Sequence, residues 1–147
     1  MAVQMVAGYG WVLVSLLANI FLMMWMAGQV GKARKKYKVY YPIMYALESE
    51  NKDAKVFNCV QRGHQNSLEF MPTFMVMLLL GGLQYPIVAA IFGAVYTVAR
   101  LQYFRGYSTG TASARYSSGG GFHWLALIGL LVCNAALILH QFFPDYV

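Results

Sequence analysis

Residues 70–99 read FMPTFMVMLLLGGLQYPIVAAIFGAVYTVA and contain no charged side chain. Within them, GGLQYP at 81–86 breaks the apolar run, and Gly81, Gly82 and Pro86 predict a tight turn between two helices. The 14 residues from Phe70 to Leu83 that precede the break rise only ~21 Å as a helix. That is short of a hydrocarbon core of ~30 Å. The first helix must therefore reach back through FNCVQRGHQNSLE, residues 57–69, and the second forward through ARLQYFRGY, residues 99–107. Both extensions bring ionisable groups to the membrane boundary or into it.

Two further stretches, 1–31 and 116–144, are also free of charge. The four predicted spans are 9–30, 57–83, 86–107 and 122–143. The composition agrees: 59% of the 147 residues are hydrophobic and 11% charged, against roughly 45–50% and 25% in soluble domains. An ordinary cytosolic enzyme, a disordered chain and a disulfide-stapled secreted module are excluded. The N-terminal run lacks a basic leader segment, and its apolar part is too long for a secretory signal. Cys59 and Cys133 are too few for a stapled framework and read as free thiols. The expected fold is an all-α integral membrane protein, one four-transmembrane-helix bundle over residues 1–147.

The basic residues set the expected topology. Eight precede or open the second span, Lys32, Arg34, Lys35, Lys36, Lys38, Lys52, Lys55 and Arg62, and three follow towards the end of the third, Arg100, Arg105 and Arg115. The hairpin between the second and third spans has none. The positive-inside rule places the first and third connections in the cytosol and both termini in the lumen. KARKKYK, residues 32–38, also has a plain reading as a stop-transfer cluster lying on anionic headgroups. Ser117, Ser118 and Gly119–Gly121 predict a flexible connector; with no preceding strand and no Lys-Ser/Thr they are not a phosphate loop.

Two polar stripes stand out. Arg62, Asn66 and Glu69 recur at i, i+4, i+7 and share one face of the second helix. An Arg or Glu inside a span costs ~3 kcal/mol on insertion scales, so such groups face a cavity or a partner. They read either as an ion pair cementing the bundle or as a site for a small zwitterionic ligand. On the third helix Tyr96, Arg100, Tyr103 and Tyr107 recur at i, i+4, i+7, i+11. They read as interfacial anchors or, with the first stripe, as the wall of a polar pocket. His64, His123 and His140 are spaced too widely for a metal site, and no metal is expected. Fixed cations beside hydroxyl donors suit an anionic or thiolate ligand, since a neighbouring Arg lowers a thiol pKa from ~8.5 towards 7. No cysteine lies on either stripe, so the thiol would come with a cosubstrate.

FNCVQRGHQNSLE and ARLQYFRGYSTG, with KARKKYKVYYPIMYA before them, resemble the membrane-associated proteins in eicosanoid and glutathione metabolism, the MAPEG family. The order of motifs is most similar to its type-3 microsomal glutathione S-transferase branch, and ESENKDAKVFNCVQRGHQNSLE to plant-type members. The resemblance implies a homotrimer that binds glutathione between neighbouring subunits near the cytosolic face. It assigns glutathione contacts to Arg34, Arg62, Asn66, Glu69, Tyr103 and Tyr107. It makes Arg115 the residue that activates the thiol and gives Lys35 a role on the second substrate. His64 and Phe70 fall within the same binding motif but depart from it: leukotriene-C synthase has glutamine and tyrosine there, so Phe70 loses one hydroxyl contact. Arg115 lies eight residues after Tyr107, where that enzyme's arginine lies seven after.

The implied function is a glutathione-dependent enzyme of the endoplasmic reticulum membrane, or of the mitochondrial outer membrane. It would conjugate glutathione to lipophilic electrophiles or, as a glutathione peroxidase, reduce lipid hydroperoxides. The expected partners are those substrates, membrane lipid and further copies of the chain; no nucleic acid is expected. The alternatives are a non-catalytic scaffold of the same fold that presents fatty acid to an enzyme, and a small transporter or channel subunit. A scaffold would not need both the Arg–Asn–Glu face and a following arginine. A transporter needs a polar path, and the first and fourth helices offer only Asn19 and Asn134 near their middles.

The topology has a direct check. A glycosylation acceptor appended after Val147 should be modified in microsomes, and one placed near Glu50 should not. The reverse pattern would invert the assignment.

Overall fold

The structure is a computed structural model and describes residues 6–144; residues 1–5 and 145–147, the ends of the expected domain, lie outside the described residues. Four helices run in order: α1 Tyr9–Tyr37, α2 Ala54–Gln84, α3 Pro86–Tyr107 and α4 Phe122–Phe142. Each is long and apolar enough to cross a membrane. A short 3-10 segment, Ala112–Gly119, lies between α3 and α4. α1 packs on α2 and α3, α4 packs on the other side of the same two helices, and α2 and α3 also meet directly.

The surface of this bundle is inverted relative to a soluble protein. Trp11, Phe21, Met24, Ile91, Val98 and Val132 point outward and are exposed. The groups turned inward include Ser15, Asn19, Ser67, Arg100 and His123. Lipid supplies no hydrophobic force between helices, so packing and interhelical hydrogen bonds must hold them. Among the described residues, and apart from a contact between α2 and α3 described below, four side chains make such bonds. The Tyr9 hydroxyl donates to Leu79 O at 3.0 Å, Ser15 Oγ to Ala90 O at 2.9 Å, Asn19 Nδ2 to Thr97 Oγ1 at 3.3 Å, and Asn134 Nδ2 to Met77 O at 2.8 Å.

α1 continues beyond residue 30 and carries Lys32, Arg34, Lys35 and Lys36 in helical conformation. Lys and Arg are good helix formers, and cations are favourable near a helix C-terminus. Lys38 closes the helix in the left-handed region at φ 56°, and the Val39 amide donates to Arg34 O at 3.0 Å.

The hairpin is tighter than GGLQYP predicts. Gly81 and Gly82 lie inside α2, and only Tyr85 separates the two helices, with Pro86 opening α3. The glycines serve packing instead of the turn. A Cβ on Gly81 would stand 3.0 Å from both Cys133 Cβ and Asn134 Nδ2, and one on Gly82 would stand 2.8 Å from Val12 Cγ2. The expected flexible connector is likewise a packed element. The 3-10 segment lies against α3 so closely that a Cβ on Gly106 would be 2.1 Å from Ala114 O. On Gly120 it would be 2.0 Å from Arg115 O and 3.0 Å from Tyr103 Cα.

Close approach at Gly82 predicts a specific sensitivity. Gly82→Leu should destabilise the bundle by ~1–3 kcal/mol through overpacking. Gly10→Ala, where a Cβ meets nothing within 4 Å, should not destabilise it. Unfolding in detergent measures both; equal effects would contradict the packing role.

Candidate active site at the basic end of the bundle

α2 and α3 leave their hairpin together, so residues at similar distances from Tyr85 face each other. Asn66 and Arg100 meet in this way, 34 positions apart in the chain. Arg100 is 0% exposed. Its Nη1 donates to Asn66 Oδ1 at 2.9 Å and its Nε to the Tyr96 hydroxyl at 3.1 Å. The guanidinium carbon lies 4.7, 5.3 and 5.2 Å from the ring centroids of Phe70, Tyr96 and Tyr103. A cation over several aromatic faces, shielded from water, gains more than an exposed one. Nη2 of Arg100 is buried with no hydrogen-bond partner.

The array continues outward from Asn66. Its Nδ2 faces Glu69 Oε2 at 3.4 Å, and Glu69 Oε1 accepts from Arg62 Nη1 at 2.6 Å. Asn66 thus offers its oxygen to a cation and its nitrogen to a carboxylate, and these two neighbours settle its amide orientation. The order is hydroxyl, cation, amide, anion, cation, with one positive charge in excess. The Arg62 and Glu69 side chains are 41% and 44% exposed, so this end of the array is open. The expected face is therefore present, and its ion pair lies at an open surface of the bundle, not buried in its core.

Arg115 reaches the same region by another route. It sits in the 3-10 segment, donates from Nη1 to Ala112 O at 2.5 Å, and lies 4.6 Å from the Tyr116 ring centroid and 5.5 Å from that of Tyr107. The neighbouring Tyr116 hydroxyl, outweighing partial burial, raises its pKa further, so its charge is permanent at any working pH. Tyr107 in turn packs edge to face on Tyr103 at 5.7 Å, and Tyr103 touches Arg100. The packed 3-10 turn brings Arg115, eight residues on in the chain, back to Tyr107. Gly106 and Gly120 make that path sterically open.

The remaining sequence candidates lie elsewhere or play quieter parts. Arg34 is 7% exposed. Its Nη1 donates to Ile43 O at 2.7 Å and Val39 O at 3.4 Å, and its guanidinium lies 4.3 Å from the Tyr41 ring centroid. In this chain it folds the connection after α1 and does not join the Arg62–Arg100 array. Lys35 is exposed beside it and borders a groove of about 500 Å³ with Gly28, Gly31, Tyr40 and Tyr41. His64 is half-buried on α2. Phe70 packs on the Arg100 guanidinium and on Trp124, with ring centroids 5.3 Å apart in the latter pair. Among the described residues no group of three His, Cys, Asp or Glu could hold a metal.

Two residues gain importance from the structure. Arg100 belongs to the predicted stripe but carries no assigned ligand role in the sequence; its total burial and spare Nη2 place it at the centre of the array. His123 is buried, and its Nδ1 donates to Gly120 O at 2.7 Å. Its ring lies 5.5 Å from that of Tyr103. It ties the start of α4 to the site, and only tertiary contact reveals this.

Comparison with known proteins gives a consistent result. The chain is 40% identical over 141 residues to microsomal glutathione S-transferase 2 of Mus musculus, covering 90% of this chain and 88% of the relative. The corresponding protein of Bos taurus is 36% identical over 121 residues, covering 82% and 77%. Leukotriene C4 synthase of Bos taurus is 31% identical over 130 residues, covering 87% and 80%. The MAPEG family profile matches residues 12–136. With its four apolar helices and the polar array between α2 and α3, the chain belongs to the MAPEG family of membrane proteins.

Proposed function

We propose that the protein is a glutathione S-transferase of membranes, joining the glutathione thiol to a lipophilic electrophile at the edge of the bilayer. The observation that carries this reading is the Arg100–Asn66–Glu69–Arg62 array, which has one excess positive charge and an open outer end. Glutathione at neutral pH has two carboxylates and one ammonium. Arg62 suits a carboxylate and Glu69 suits the ammonium, while Arg100, sealed inside, holds Asn66 in place behind them. The tyrosines at 103 and 107 add hydroxyls beside them. The names of two of the relatives, both microsomal glutathione S-transferases, support the same substrate.

The chemical step needs a thiolate. Its sulfur forms a bond to the electrophilic carbon, and the displaced electron pair passes to a leaving group or to an opening epoxide oxygen, which then takes a proton. Arg115, permanently charged and lying over Tyr107, is the cation assigned to hold the thiolate. A fixed charge in a partly dry site stabilises the anion with little reorganisation. Reduction of a lipid hydroperoxide would start from the same thiolate; the names of the relatives favour transfer.

The open Arg62–Glu69 face fits closure by a neighbouring copy, as in the homotrimer that the family resemblance implies. In that assembly Arg34 and Lys35 would serve the site of an adjacent subunit. The word microsomal in the relatives' names supports an endoplasmic reticulum location, and the basic excess at this end of the bundle supports a cytosolic site.

The test is the titration of the bound thiol, read as thiolate absorbance against pH. Arg115→Ala should raise the apparent pKa towards the free value of ~8.5. A raised thiol pKa leaves less thiolate at neutral pH, so turnover should fall and recover as pH rises, with a modest change in glutathione affinity. Arg115→Lys should retain part of the effect, because it keeps the charge but not the planar fork. Identical curves for wild type and Arg115→Ala would remove Arg115 from the thiolate.

A further inference from the structure

Outside the array, the basic end of the bundle carries a second feature. Trp25, Gln29, Lys32 and Lys36 fall at i, i+4, i+7 and i+11 of α1 and form one stripe along its length. The stripe rises ~16 Å and changes from apolar to basic towards the helix end. α3 approaches from the other side with Phe104, Arg105 and Ser108, and the two helices enclose a groove of about 380 Å³. Its deep end is apolar, with the Trp25 and Phe104 rings edge to face at 5.6 Å. Gln29 lies between the aromatic and the charged parts of the α1 stripe, and Ser108, one turn beyond Phe104, donates its hydroxyl to Phe104 O at 2.7 Å.

The outer end is cationic. Lys32, Lys36 and Arg105 are all exposed, and among the described residues no carboxylate lines the groove. The one ion pair found among those residues, Arg62–Glu69, involves none of these three cations. Lys36 Nζ is 5.0 Å from the Tyr37 ring centroid, which holds the ammonium against the groove wall. Three unneutralised cations set this close repel one another, and an anion relieves that repulsion. An aromatic floor, an amide at intermediate depth and cations above it match one amphipathic anion, with its acyl chain down and its charge up.

We propose that this α1–α3 groove binds an anionic phospholipid of the leaflet at the basic end, with the phosphate between Lys32, Lys36 and Arg105 and one acyl chain over Trp25 and Phe104. The site is separate from the Arg62–Arg100 array and does not depend on the glutathione reading. Attraction of a basic residue to an anionic membrane surface has a magnitude that corresponds to about fivefold in binding per charge.

The experiment is native mass spectrometry of the purified protein in neutral detergent with phosphatidylglycerol or phosphatidylcholine of identical chains. Wild type should retain phosphatidylglycerol in preference to phosphatidylcholine. Lys32→Gln, Lys36→Gln and Arg105→Gln should each lower that retention about fivefold, and the triple variant should abolish the preference. Lys52→Gln/Lys55→Gln, which removes charge outside the groove, should leave it intact. Equal retention of both lipids by wild type, or an equal loss in the control variant, would overturn the proposal. So would displacement of the lipid by excess inorganic phosphate, which would reduce the groove to a simple anion site. As an independent reading, phosphatidylglycerol with brominated chains should quench tryptophan fluorescence more than brominated phosphatidylcholine, and Trp25→Phe should remove the difference. An unchanged difference in Trp25→Phe would place the lipid elsewhere.

Discussion

A guanidinium with no exposed surface, Arg100, lies between α2 and α3, and the rest of the site follows from the need to accommodate it. Placing an arginine in a membrane span costs ~3 kcal/mol on insertion scales. Asn66, the Tyr96 hydroxyl and the faces of Phe70, Tyr96 and Tyr103 offset that cost. A buried charge tolerates little displacement of its partners, so the contact fixes the register of α2 against α3. It also orients the Asn66 amide, which turns its nitrogen towards Glu69 and so aligns the Glu69–Arg62 pair. One buried cation thus specifies both a helix–helix contact and the direction of an open polar face.

The surrounding packing keeps that face at one end of the bundle. Below it, the stacked Phe74 and Tyr96 rings and the apolar residues of all four helices close the interior. Above it, the 3-10 segment returns across α3 and sets Arg115 over Tyr107. The two halves depend on glycines for different contacts. Gly81 and Gly82 admit side chains of α4 and α1, whereas Gly106 and Gly120 admit backbone carbonyls of the 3-10 segment.

Much of this is legible in the chain itself, because helical periodicity is a local property. The i, i+4, i+7 recurrence of Arg62, Asn66 and Glu69 places them on one face, and the tyrosine stripe of α3 follows from the same rule. Other features depend on what a residue touches. Glycine has one sequence signature for turns and for close packing, so Gly81 and Gly82 read as a turn although they lie within α2. Serines and glycines after Arg115 read as a flexible connector, yet their lack of bulk is what lets that segment pack. Arg34 cannot be distinguished from its neighbours Lys35 and Lys36 by spacing alone. Its inward turn depends on the carbonyls of Val39 and Ile43, supplied by a connection without periodicity. Among the three basic residues around the end of α3, only Arg100 is fully buried, and no local pattern announces that.

On this reading the Arg62–Glu69 end of the array recognises glutathione instead of merely cementing the bundle. Calorimetric titration of reduced glutathione into Arg62→Ala and Glu69→Ala, each first shown to unfold in detergent as wild type does, tests it most directly. Loss of a charged hydrogen bond is worth ~1.5–3 kcal/mol, so each variant should bind glutathione roughly 10- to 150-fold more weakly with its fold intact. Wild-type affinity in both folded variants would contradict the account and leave the ion pair with a structural role.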